Sequence, residues 1–174
     1  MDLLDRLLGH DAWTTNLLLQ RCESFSDAQL DREFEIGPGT LRRTFDHIIW
    51  NMEAWSAAMD GARAIERSAD KTIAGLKTRL QIAAERLQRI ARQVGDADGW
   101  DKLYTDHLDR PPSQRPYGTA IAHVITHSMH HRAQILNMLK RSGVTDLPEG
   151  DVFSWEHSLT PGGASSSNAV DAAD

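Results

Sequence analysis

Residues 73 to 94 constrain the fold most. Ile73, Leu76, Leu80, Ala83, Leu87, Ile90 and Val94 recur at spacings of three and four in unbroken alternation. On a helix these positions form one narrow apolar stripe, which is stable only when another helix covers it. The spacing predicts a helix from about Lys71 to Val94, stopped by Gly95 and built into a bundle.

Three more segments supply the covering surfaces. From about Asp2 to Glu23, Leu4, Leu7, Leu8, Asp11, Thr15 and Leu18 trace one side of a first helix. A second begins at Thr40, a good N-cap, and carries Leu41, Phe45, Ile48, Met52, Trp55 and Met59 at helical spacing up to Gly61. The last runs from about Thr119 to Gly143, with Ile121, Val124, Ile125, Ile135, Met138 and Leu139 as its apolar face. Leu30 to Gly39 is a linker ending in Gly-Pro-Gly. Between Gly95 and Tyr117 the period is lost and prolines intervene, leaving a long connection with room for a short extended hairpin around Leu103 to Leu108. Asp151, Phe153 and Trp155 are placed to pack back on the bundle. The expected architecture is all-α, a four-helix bundle domain over residues 1–160. The small, polar residues 161–174 are expected to form a disordered tail.

Composition removes several functions. The 174 residues carry a net charge of −6 and no basic stripe, so nucleic acid is not an expected partner. No stretch approaches the ~18 consecutive apolar residues of a membrane span, and Asp2, Asp5 and Arg6 interrupt any leader, so the expected location is cytoplasmic. The single cysteine, Cys22, excludes an intrachain disulfide and any site with two thiolates from one chain; it reads as a buried small residue. Phosphate-loop, dinucleotide and nucleophile-elbow motifs are absent.

The histidines carry the functional signal. Of eight, four lie between positions 123 and 131. His127 and His131 are four apart, one above the other on a helix face, and share their stripe with Ile135 and Leu139. Two inward imidazoles can converge on one ion, and a bundle core supplies further ligands from facing helices. His47 on the second helix is the candidate third ligand, although it lies about 120° from the centre of the Leu41–Ile48–Met52 stripe and so at a seam. His123, one turn before His127, is open to three readings: fourth ligand, partner of a ligand, or packed helix-start residue. His130 falls off the stripe, and His10, His107 and His157 read as surface residues. The zinc-protease pattern fails, because Ser128 and Met129 stand between the histidines. Trp13 and Trp55 read as core or pocket wall. Trp50 reads as facing a covering loop or another subunit, and Asn51 as a possible pocket residue.

The run from His123 through His127, His130, His131, Arg132 and Gln134 to Ile135, then Leu139 and Gly143, resembles the last bundle helix of the DinB-like family, which is distinct from the DNA polymerase sharing that name. Thr40-Leu41 leading to Phe45-Asp46-His47-Ile48 is similar to its second helix, and the early Trp13 fits its first. The resemblance spans about residues 1 to 155. It departs at Ala133, where the family often has Gly.

The resemblance implies an up-down-down-up four-helix bundle, often a homodimer. It also implies a three-histidine metal site, which falls here on His47, His127 and His131. Three neutral imidazoles leave a coordination position free, the pattern of a catalytic site. The expected cofactor is a divalent transition metal, Zn or Ni before others. The expected function is that of a metal-dependent enzyme acting on a small molecule, either a transferase using a low-molecular-weight thiol as cosubstrate or a hydrolase. The alternative is a non-catalytic metal-binding stress-response protein in which the ion pins helices together.

Overall fold

The computed structural model describes residues 1–148 and 150–160. It is mostly helical: α1 (Leu3–Arg21), α2 (Asp27–Leu30), α3 (Leu41–Met59), α4 (Ile73–Asp96), the strands β1 (Leu103–Asp106) and β2 (Ser113–Pro116), α5 (Tyr117–Arg141) and α6 (Val152–Ser158). The expected tail, 161–174, lies outside the described residues.

Side chains set the helix starts. Asp2 and Asp5 cap α1 reciprocally, Thr40 accepts from Arg43 N at α3, and Thr72 accepts from Gly75 N at α4. Thr72 therefore starts α4 two residues later than the period suggests. Ser26 and Gln29 form a second capping box that nucleates α2, a turn too short to show any periodicity. Gly95 does not stop α4. It lies inside the helix, where a Cβ would meet Trp100 Cζ2 at 3.1 Å, and the chain leaves the helix through Asp98 at φ 45°. The absent side chain at Gly95 serves close packing here, not termination. Gly143 does end α5 with φ 89°.

The long connection holds a hairpin, with Leu103 opposite Pro116 and Asp106 opposite Ser113. The sequence points to its first strand. The second, Ser-Gln-Arg-Pro, has no apolar alternation to betray it. In α6, Trp155 is buried against the bare Gly9 of α1, whereas Phe153, two residues earlier and so on another face, is 85% exposed.

Four long helices surround one core. α3 packs on α4 and α5, and α1 packs on the other sides of those two. Phe45, Leu18, Leu19, Ile48, Ile49, Met52, Leu76, Leu87, Ile135, Met138 and Leu139 are fully buried, each contributing about 1.5–3 kcal/mol of apolar burial. Cross-helix pairs give the directions. Arg79 meets Asp46 and Glu53 while Arg86 and Arg89 meet Asp60, so α3 and α4 run parallel. Arg92 meets Asp2 and Lys77 meets Glu23, so α1 opposes α4. His47 meets His131 while Trp55 meets His123, so α3 opposes α5. Two facing stripes result, His47–Asn51–Trp55 on α3 and His131–His127–His123 on α5. Among the described residues no helix is long and apolar enough to cross a membrane.

Candidate metal centre

The three histidines meet at the α3–α5 seam. Each offers one ring nitrogen, and these atoms all lie within 4.8 Å of one another. His47 Nε2 and His127 Nε2 are 3.0 Å apart. Two imidazoles on one tetrahedral ion, at about 2.0–2.1 Å each, need roughly 3.3 Å between their nitrogens, so little motion would be required. The rings of His131 and His127 are 4.4 Å apart, and those of His131 and His47 4.6 Å. The seam position that the helical wheel gave His47 is where it stands, half-buried, and α5 brings the other two rings to it.

His131 is oriented by a neighbour. Its Nδ1 lies 2.8 Å from Gln134 Oε1. A carboxamide oxygen only accepts, so Nδ1 carries the proton and Nε2 is left with a lone pair, as ligand histidines are usually prepared. Gln134 is held in turn. Its amide nitrogen is 2.9 Å from His130 Nε2, and the linker backbone presses on it at Gly37. Gly37 has φ 51°, and a Cβ there would collide with the Gln134 carboxamide, so both conformation and space require glycine. The linker thus reaches the centre through Gly37, Gln134 and His131.

The electrostatics favour neutral rings. Burial, with the nearby His131 and His47 imidazoles adding to it by disfavouring another positive charge, pushes His127 down to about 4. Burial also lowers His47, with His131 adding to it. Burial lowers His131 despite the opposing Gln134 hydrogen bond. Neutral imidazole is the metal-binding form. The group includes no carboxylate. Asp46 precedes His47 but turns away from it, to Arg79 of α4 and to Arg67 and Lys71 of the α3–α4 connection, which hold it. A donor set of three imidazoles, close together and uncharged, fits a divalent transition ion.

The other expected residues fall as follows. His123 is exposed and outside the three-histidine group, its ring 5.4 Å from His127 and 5.1 Å from Trp55. The Arg115 guanidinium covers the Trp55 ring at 5.3 Å. Arg67, from the α3–α4 connection, covers Trp50 at 5.4 Å, which is the covering-loop reading. His130 is exposed but bonds Gln134. His10 is not a simple surface residue, since its Nε2 lies 2.6 Å from Gly150 O and ties α1 to the segment before α6. Cys22 is buried, and burial pushes its thiol up to about 12, which removes it as a nucleophile. Trp13 lines a groove of about 460 Å³ between α1 and α4 that touches none of the three histidines; the chemistry of the donor set, not cavity size, marks the site.

Sequence reasoning gave no role to Gln134 or to Asp11. Gln134 is three residues from His131 and so shares its helix face, a legible signal. Arg132 of α5 donates to Asp11 of α1, both buried, and their separation of 121 residues left no local sign.

No curated protein matches this sequence. The DinB family profile matches residues 1–158, and with its helical bundle and its histidine cluster the chain belongs to the DinB family.

Proposed function

We propose that the protein is a metal-dependent enzyme holding one divalent transition ion on the Nε2 atoms of His47, His127 and His131. The observation that supports this most is the convergence of three uncharged imidazoles, one oriented by Gln134, with no carboxylate among them. Structural zinc sites are closed by four protein ligands, whereas three leave a position for water or substrate. A bound dication would lower the pKa of a water or thiol held beside it, making either a better nucleophile. We read the activity as transfer to or from a low-molecular-weight thiol, or as hydrolysis, with Zn or Ni as the metal. On the same reading the protein is a cytoplasmic homodimer.

The protein's own groups prepare the site. Gln134 keeps His131 in the ligating tautomer, burial keeps the rings neutral, and Trp55 and His123 form an aromatic wall beside it. The second reading, an ion that only pins helices, draws on the fact that the ligands come from just two helices, α3 and α5. Elemental analysis of tag-free protein tests the site: near one metal per chain, lost in His47→Ala and His127→Ala, is expected. Turnover of thiol and ester probes by the loaded protein separates enzyme from pinned bundle. No metal after dialysis against Zn or Ni would end both readings.

A further inference from the structure

His127 and Asn51 carry complementary unpaired atoms on facing stripes. His127 Nδ1 and Asn51 Oδ1 are both buried, and neither has a hydrogen-bond partner among the described residues. Asn51 stands one turn beyond His47 and one turn before Trp55 on α3. His47 reaches His127 and Trp55 reaches His123, so Asn51 lies across the seam from the His127 turn. A buried acceptor and a buried ring nitrogen, each left without a partner, are costly to desolvate, so the arrangement needs a reason.

The other α5 histidine supplies the pattern. His131 Nδ1 already donates to a carboxamide oxygen, that of Gln134, which frees its Nε2. His127 differs because its Nε2 faces His47 Nε2 at 3.0 Å, a contact that needs a proton on one of the two nitrogens. With that proton on His127 Nε2, its Nδ1 is a bare lone pair, and it stands apart from the Asn51 carboxamide oxygen with no hydrogen bond between them.

We propose that Asn51 is the positioning residue for His127, accepting a hydrogen bond from Nδ1–H in the metal-loaded tautomer. This inference rests on the metal-site reading above. When Nε2 becomes a ligand, the neutral ring carries its single proton on Nδ1 instead, and a turn of the Asn51 carboxamide toward it satisfies both unpaired atoms. No net charge changes on His127. The two carboxamides then act alike, Gln134 on His131 and Asn51 on His127.

The test compares wild type, Asn51→Leu and Asn51→Asp by zinc titration against a chromophoric chelator, with melting of the metal-free proteins alongside. The expected result is wild-type zinc binding, a ~10–100-fold weaker affinity in Asn51→Leu, and recovery in Asn51→Asp, which keeps an acceptor. Metal-free melting should not fall in Asn51→Leu. Histidine-ring NMR of the zinc-loaded wild type should show a His127 Nδ1–H protected from exchange and lost in Asn51→Leu. Equal affinity in wild type and Asn51→Leu overturns the inference while leaving the metal site standing. So does a loss shared by both variants together with lowered metal-free melting, which would mark a packing role. Failure of the wild type to bind zinc removes the metal reading itself, and this inference with it.

Discussion

Asp46 and His47 are neighbours in α3, and His131 and Arg132 are neighbours in α5, yet each pair divides between two kinds of surroundings. Asp46 and Arg132 point to opposite charges: Asp46 to Arg79, Arg67 and Lys71, and Arg132 to Asp11. His47 and His131 point to more imidazole. Adjacent helix positions are ~100° apart, so one residue step moves a side chain from one seam to the next. The charge clusters balance themselves and belong to folding. The histidine cluster gathers groups of one kind and supplies no counter-charge, which suits something that arrives later.

Mutations that break each cluster should separate these roles. Asp11→Ala leaves Arg132, 5% exposed, as an uncompensated buried charge and should cost about 3–5 kcal/mol in denaturant unfolding. Asp46→Ala should cost less, about 1.5–3 kcal/mol by the same measurement, because Arg67 and Lys71 keep 48% and 39% of their side-chain surface in water. Gly37→Ala should cost about 1–2 kcal/mol for the left-handed backbone, and by displacing Gln134 should also weaken zinc binding in a chelator titration.

Acid should act on the histidine seam in one direction. His127 falls from 6.5 to about 4 on folding, so between those values the unfolded chain binds a proton that the folded chain refuses. Its contribution is complete above about 6.5, shrinks as pH falls toward about 4, and changes no further below that. Melting of metal-free protein should therefore decline across this window, and His127→Gln should flatten the decline. The smallest effect should be that of His47→Ala on metal-free stability, within about 1 kcal/mol, since it removes a half-buried ring that balances no charge. A loss comparable to Asp46→Ala would place His47 among the structural groups and dissolve the contrast.

The sequence made part of this contrast legible. The unbroken alternation from Ile73 to Val94 reports a continuous buried stripe, and His127 and His131 announce one shared face by their spacing. His47 was harder, because a seam residue falls outside the apolar stripe and the wheel argued against it; it stood as a candidate, and the family resemblance outweighed the objection. The partners of Asp11 and Asp46 were invisible, since tertiary contacts across more than twenty residues have no local period. β2 and α6 were hidden for another reason: each is too short for a pattern, and the hairpin register and the fit of Trp155 over Gly9 decide them.

The burial of Cys22 has a practical side. It is the only thiol in the chain, and at neutral pH it is both shielded and un-ionised. Thiol-reactive dyes should stay dark against native protein, so any signal in an assay with added thiol belongs to the added thiol. The same dye becomes a clock for global unfolding, because labelling of Cys22 requires α1 to leave the bundle.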